Sequence, residues 1–345
     1  MPESSVSSDC YKSPLAIVAV SIAYRVFLVL FLPISSCNLD CSYFQLQDRQ
    51  IRRLFDLDLL PLLVERILES PYVGPEFSLV WHAGEPLTLP TNWYDDATTL
   101  INQSLERLGA KDLQIDQHVQ TNATLINDDW CNCFRRNQIV VGISVDGPED
   151  IHDAHRRFRN GRGSHAMAMR GIEALHRNQV PFHCISVITA DAMEQPERMY
   201  QFYRDNGIND VGFNVEEKEG INTSSSMAGS IMEAKYKDFL RTFWRLSEQD
   251  GYPVVLREFE QVISLIQGDR RMTPHELNRP FSILSVDAKG NFSTFDPELL
   301  SVSSHRSGVF NPGHPKTQRA EDTTRTERLG SSRQVKAIGG GPCNS

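Results

Sequence analysis

Short apolar runs along the chain alternate with longer segments whose apolar residues recur at helical spacing. We predict six strands, at residues 26–32, 77–81, 114–120, 139–145, 182–188 and 210–215, most of which are short apolar runs. The segments between and after them predict helices at residues 54–68, 92–108, 128–136, 164–178, 196–206 and 230–249. Strands that alternate with helices indicate right-handed β-α-β units around a parallel sheet.

The number of these units decides between architectures of the α/β class. Six units fall short of the eight that close a TIM barrel. An open, partial (βα)6 TIM-like barrel over residues 23–250 therefore fits the pattern. A doubly wound sheet is the alternative that the same pattern allows.

The pattern changes after residue 250, where we expect a truncated C-terminal extension. Residues 281–295 predict a β-hairpin that turns at residues 288–291. We assign residues 251–304 to this extension. Residues 305–345 are polar, rich in Gly, Pro, Ser and Arg, and without an apolar period. Such a tail cannot bury enough apolar surface to offset its ordering entropy, so we expect it to be disordered.

An apolar stretch near the start, residues 15–33, allows two interpretations. A membrane helix needs about 20 apolar residues, and Arg25 interrupts this stretch. The first nine residues also lack the basic character that precedes the apolar part of a signal peptide. We interpret residues 1–22 as an apolar leader before a buried strand, and expect no membrane contact. A membrane or targeting segment is the alternative.

Composition narrows the possible partners and the compartment. The chain has 345 residues, 40% of them hydrophobic, and a net charge of −9. An acidic chain is a poor general binder of nucleic acid, which needs clustered Lys and Arg. The cysteines are scattered and odd in number, unlike a secreted disulfide framework; they are Cys10, Cys37, Cys41, Cys131, Cys133, Cys184 and Cys343. We therefore expect a cytoplasmic protein.

Candidate chemistry follows the predicted strands. Cys37 and Cys41 come directly after the first strand, four residues apart, so one loop can turn both thiolates to one metal. Distinctive polar loops follow the next three strands, at residues 81–86, 120–125 and 144–148. Since the carboxyl ends of parallel strands gather function at one edge, we expect these loops to share a cavity.

The cysteine loop resembles that of the radical S-adenosylmethionine (SAM) superfamily, which carries C-x3-C-x-aromatic-C. Three thiolates there hold a [4Fe–4S] cluster and leave one iron open to SAM. Cys37 and Cys41 match the first two ligands, and Tyr43 matches the aromatic residue beside the adenine. The third ligand position holds Phe44, whose ring cannot ligate iron.

The later loops resemble motifs of the same superfamily, in the same order. Residues 81–86 (WHAGEP) are similar to its G-G-E-P motif. Residues 120–125 (QTNATL), which include Asn122, and residues 144–148 (SVDGP) are similar to the Q-T-N-G-T-L and S-I-D-G-P of sulfatase-maturating enzymes. The stretch from residue 151 to residue 164 resembles their H-D-x-x-R…G-x-G-S/T.

The resemblance implies a role for each matching residue. Glu85 would bind the methionine amino group of SAM, and Gly84 would allow a close backbone approach. Ser144 and Asp146 would face the ribose side, and Arg156 would pair with the SAM carboxylate. The implied cofactors are a [4Fe–4S] cluster and SAM.

Within the superfamily, the chain resembles sulfatase-maturating enzymes and SPASM-type cyclophane-forming peptide maturases. That resemblance implies hydrogen abstraction, by a 5′-deoxyadenosyl radical, from a ribosomally made precursor peptide or a protein. Those maturases continue into a cysteine-rich auxiliary-cluster domain, whereas Cys343 is the only cysteine here after Cys184. We therefore expect no auxiliary cluster. A degenerate, non-catalytic homologue that keeps the fold is the alternative to an enzyme.

Overall fold

A computed structural model describes residues 26–43, 50–70, 72–218, 224–227, 229–267, 282–294, 303–304 and 308–309. The predicted leader at residues 1–22 lies outside these ranges. So does the predicted disordered tail at residues 305–345, except for residues 308–309.

The six predicted strands form the centre of one sheet, and each pairs in parallel with the next. They are β1 (Val26–Phe31), β2 (Val73–Trp81), β3 (Gln114–Thr121), β4 (Val140–Ser144), β5 (Phe182–Ile188) and β6 (Asp210–Val215). The first and last of the six do not pair with each other, so the sheet stays open. The prediction of an open, partial (βα)6 barrel is confirmed, and the doubly wound alternative is not.

Three strands that the barrel prediction did not include extend this sheet to nine. β7 (Val255–Leu256) pairs with β6, and β8 (Ile283–Val286) pairs in parallel with β1. β9 (Phe292–Thr294) pairs antiparallel with β8, which confirms the predicted hairpin. The four residues of β8 are all buried where the strand lies beside β1.

Two further short strands lie at the start of the predicted tail. β10 (Ser303–Ser304) and β11 (Gly308–Val309) pair antiparallel with each other. The sequence predicted no order at residues 308–309, since a two-residue ladder leaves no apolar period to detect.

Helices cover the outer face of the sheet. They are α1 (Leu60–Leu68), α2 (Thr91–Arg107), α3 (Asp128–Arg136), α4 (Glu149–His155), α5 (His165–Arg177), α6 (Ala190–Met193), α7 (Pro196–Asp205), α8 (Ser230–Gln249) and α9 (Arg257–Gln267). The first helix begins later than predicted because Asp56 caps a short 3-10 turn and Pro61 follows in the first α-helical turn. In the part of the chain that is described, no helix is both long and apolar enough to cross a membrane.

The two faces of the sheet differ, and the difference positions the site. Val119 and Thr121 of β3 are buried, whereas His118 and Gln120, which alternate with them, are only half-buried. Period-two alternation places these pairs on opposite faces. One face packs into the main core with the helices, and the other carries polar side chains.

Close packing between α5 and the end of β3 depends on a glycine. A Cβ at Gly171 would lie 2.1 Å from the main-chain oxygen of Ala123. Backbone cannot move aside as a flexible side chain can, so only glycine lets the helix approach this closely.

We expect Gly171→Ala to lower the free energy of unfolding by about 1–3 kcal/mol through overpacking. Helix propensity alone predicts the opposite sign, a gain of about 1 kcal/mol. Urea denaturation of the variant beside the wild type measures the difference. The exposed Ala166 of the same helix offers a control, because Ala166→Gly should show only the propensity effect. A stabilised Gly171→Ala chain would show that the packing is looser than described.

Candidate functional site

The two candidate metal ligands lie in the loop that follows β1, which we call the cysteine loop (residues 32–43). Cys37 is half-buried and Cys41 is buried. Leu39, Cys41 and Tyr43 form a small apolar cluster separate from the main core. Phe158 and Val187 do not belong to the loop but pack against this cluster. The loop is therefore seated on the barrel and does not project into solvent.

Amide groups surround the sulfur of Cys37. The Leu39 N–H lies 3.4 Å from Sγ and the Asn122 side-chain N–H lies 3.8 Å from it. Asn122 also donates to Asn38 Oδ1 at 2.8 Å. The pKa of the Cys37 thiol is raised to about 12, mainly by burial and then by the charge of Glu85. The hydrogen bonds from Leu39 and Asn122 oppose this rise. A bound cation would favour the thiolate, because metal ligation requires the deprotonated sulfur.

Gly84 supports the cysteine loop through its missing side chain. It has a φ of +61°, and a Cβ there would lie 2.3 Å from the Ile34 oxygen and 2.8 Å from the Ser36 oxygen. The next residue, Glu85, donates its N–H to that Ser36 oxygen at 3.0 Å. The close backbone approach implied by the resemblance is therefore, in this structure, an approach to the cysteine loop.

The Glu85 carboxylate is buried, with 1% of the residue exposed. Oε1 accepts hydrogen bonds from the Leu87 N–H at 3.0 Å and the Thr121 hydroxyl at 2.7 Å. Oε2 accepts one from the Asn122 N–H at 2.9 Å. Burial raises the pKa of Glu85 although these donors oppose the rise. Glu85 thus ties the end of β2 to the end of β3.

Asp146 is the second buried carboxylate, just beyond the end of β4, with 1% exposed. Arg156 donates to both of its oxygens, at 2.7 and 3.1 Å. The Tyr43 hydroxyl donates to Oδ2, and the Val187 N–H donates to Oδ1 at 2.9 Å. Burial alone would raise the pKa of Asp146, but the Arg156 charge and these donors hold it below its usual value.

The partner of Arg156 differs from the one that the resemblance implied. Its guanidinium is buried against Asp146 and lies 5.3 Å from the ring centroid of Tyr43. A buried guanidinium needs a fixed counter-charge, and the chain itself supplies one. The implied pairing with a SAM carboxylate would have to share Arg156 with Asp146.

Ser144 belongs to the half-buried polar face, unlike the two carboxylates. Its hydroxyl accepts a hydrogen bond from the Gln120 side chain at 2.9 Å. Gly142 makes room there, since a Cβ would lie 2.2 Å from Gln120 Oε1 and 2.7 Å from His183 Nε2. Sequence reasoning missed Gln120 and His183. Both lie on strands that flank β4, with Gln120 of β3 and His183 of β5 each opposite Gly142. The period-two alternation of those strands was the available signal.

Comparison with known sequences gives two findings on descent. Residues 31–205 match the sequence model of the Radical SAM superfamily. An uncharacterized protein of Synechocystis is 42% identical over 302 residues, which cover 88% of this chain and 76% of that protein.

Relatives with a described activity match a smaller region. A serine-type anaerobic sulfatase-maturating enzyme of Bacteroides thetaiotaomicron is 31% identical over 49% of this chain, and the match spans only 41% of that enzyme. A cysteine-type enzyme of Clostridium novyi is 27% identical over 68% of this chain and 64% of its own length.

Solved structures share the fold. The structure of anSMEcpe with bound AdoMet superposes with a TM-score of 0.73 at 20% identity, over 89% of this chain and 82% of that one. The structure of Streptococcus suis SuiB bound to precursor peptide SuiA superposes with a TM-score of 0.61 at 14% identity, over 95% of this chain and 75% of that one.

The donor set fits a [4Fe–4S] cluster only in part. A cluster that leaves one iron open to SAM needs three thiolates, and the cysteine loop brings two, Cys37 and Cys41. Position 44 holds a phenylalanine, which has no ligand atom. Within the described ranges, no three His, Cys, Asp or Glu side chains could hold a metal ion. Among the described residues, one ligand position of such a cluster is therefore without a donor.

We expect Asp146→Asn to lower the free energy of unfolding at pH 7 by about 3 kcal/mol, because Arg156 would stay buried without its counter-charge. The pKa of Asp146 lies below its ordinary value in the folded chain. The stabilisation that the ionised Asp146 carboxylate gives to the folded chain is therefore complete above about pH 4. It is lost as the pH falls through the folded-state pKa of Asp146. Urea denaturation over a pH series should show the two chains converging in acid.

Asp150→Asn is the matched control, since Asp150 also pairs with an arginine. The Asp150 and Arg198 side chains are 62% and 49% exposed, and an exposed pair contributes about 0–1 kcal/mol. Equal losses in the two variants, or an Asp146→Asn difference that persists unchanged into acid, would contradict a stabilising buried pair.

Proposed function

The chain belongs to the radical SAM superfamily, and from that membership we propose that it modifies a peptide or protein by SAM-dependent hydrogen abstraction. The observation that carries the proposal is the gathering of four motif loops at one edge of the sheet. The cysteine loop, Glu85, Asn122 and Asp146 are joined there by hydrogen bonds. A fold alone does not define an activity, but an arranged site does.

The proposed substrate is a ribosomally made precursor peptide or a protein. Sequence relatives are sulfatase-maturating enzymes, and one structural neighbour was solved with its precursor peptide. Both kinds of relative act on polypeptides. We further propose a cytoplasmic location, because the five described cysteines are free thiols and cluster assembly needs them reduced.

The domain assignment is part of the same proposal. Residues 23–250 would form the catalytic barrel, and residues 251–304 would correspond to the start of the C-terminal region of the peptide maturases. The pairing of β8 with β1 supports this continuity, since it attaches the extension directly to the first barrel strand.

Each site residue has a proposed task. Cys37 and Cys41 would ligate the cluster, and the half-buried Ser144 at the end of β4 would meet SAM. Asp146 would fix Tyr43 through its hydroxyl, and so fix the aromatic face beside the adenine. When bound, the cluster supplies the electron that cleaves SAM to a 5′-deoxyadenosyl radical.

Phe44 favours a second candidate function, a homologue that keeps the fold and polypeptide binding but not a stable cluster. Two thiolates leave a four-iron cluster with two unprotected irons in place of one. Such a cluster is labile and does not present a unique iron. The two candidates differ in whether the chain as it stands holds iron and cleaves SAM.

We expect Phe44→Cys to raise the iron content of anaerobically reconstituted protein to about four per chain and to allow 5′-deoxyadenosine formation from SAM under strong reduction. If the second candidate holds, the wild-type chain holds less iron and forms little product, because it offers one thiolate fewer. If the proposed function holds for the chain as it stands, the wild-type chain already cleaves SAM. Iron analysis, visible absorption and chromatography of the nucleoside measure these quantities.

Phe44→Ala is the control that removes the ring without adding a ligand, and it should behave as the wild type does. A Phe44→Cys chain that holds four irons and cleaves no SAM would contradict the proposed function. A wild-type chain that matched Phe44→Cys in iron content and in 5′-deoxyadenosine formation would contradict the second candidate.

A further inference from the structure

A short segment that begins at the last residue of α4 lies along the cysteine loop. We call residues 155–159 the strap. Two backbone hydrogen bonds join the two segments, from the Asp40 N–H to the Arg157 oxygen at 2.7 Å and from the Ser42 N–H to the His155 oxygen at 3.0 Å. Leu39 also bridges Phe158 in antiparallel pairing. The strap thus acts as a partner strand for the loop.

Side-chain contacts add to this backbone pairing at Cys37 and at Ser42. Arg159 donates from Nε to the Cys37 oxygen at 3.0 Å. Ser42 Oγ lies 2.8 Å from His155 Nδ1, within hydrogen-bonding distance. The His155 ring also lies 5.6 Å from that of Tyr43. These side-chain contacts therefore extend from Cys37 to Tyr43, a stretch that contains both thiols.

The strap itself is fixed by groups outside the cysteine loop. Asp153 Oδ1 accepts hydrogen bonds from the Ser164 and His165 N–H groups, at 2.8 and 2.9 Å, and so caps α5. Gly163 makes this possible, since a Cβ there would lie 1.8 Å from Asp153 Oδ2. The Ser164 hydroxyl donates to the Arg156 oxygen at 2.8 Å. The strap is thus held from the helix side without help from the loop.

We propose that the strap is a positioning element, which holds the Cys37 and Cys41 thiols in place before any metal binds. All the contacts that carry this inference are made by the chain alone. The inference therefore stands whether or not the chain catalyses the proposed reaction. Arg159 and Ser42 act on the thiols through the backbone of the loop and have no part in ligation.

Hydrogen–deuterium exchange of the full-length, metal-free chain tests the proposal. Arg159→Ala and Ser42→Ala each remove one side-chain link and leave the backbone pairing possible. Loss of one such hydrogen bond should speed amide exchange across residues 37–43 about five-fold. Alkylation of Cys37 by iodoacetamide should accelerate in parallel. Exchange in β3 and β4 should not change, because the barrel does not depend on these links.

Arg162→Ala is the matched control, since Arg162 is exposed and only its backbone oxygen meets the strap, at Phe158. Its exchange pattern should equal that of the wild type. Loop exchange in Arg159→Ala and Ser42→Ala that matches the control would overturn the proposal. So would faster exchange that extends equally through β3 and β4, since that reports loss of the fold and not of the strap.

Discussion

The burial of the Asp146 carboxylate is the constraint on which the site depends. An ionised carboxylate cannot stay in a dry interior without charge and hydrogen-bond partners. Asp146 obtains them from three separate elements: Arg156 beyond α4, Val187 in β5 and Tyr43 in the cysteine loop. Meeting this one requirement fixes the relative positions of all three.

The residues that match superfamily motifs largely hold one another. Gly84 and Glu85 receive the backbone of the cysteine loop, and Asn122 reaches the sulfur of Cys37. Protein groups already occupy most of their hydrogen-bonding capacity, which leaves the half-buried Ser144 as the more open of the motif groups. The motifs therefore describe the scaffold that positions two thiols at least as much as they describe direct contacts with a cofactor.

Much of the fold could be predicted because period-two and helical patterns are local. Most of β1 to β6 follow from apolar runs, and the loops after them share an edge because parallel strands end together. The pairing of β8 with β1 could not be predicted, since it joins segments more than 250 residues apart through burial alone. The pairing of Arg156 with Asp146 was not predicted for a related reason, because a motif names a residue and only the packed chain shows which neighbours it has.

The central claim is that SAM binds at the carboxyl edge of the sheet, between the cysteine loop and the end of β4. Hydrogen–deuterium exchange of the iron-loaded Phe44→Cys chain, with and without saturating SAM, tests it most directly. The account predicts protection at residues 37–43, 82–85 and 144–146 and little change in α1 or α2. Protection confined to other segments, or no protection at all, would contradict it.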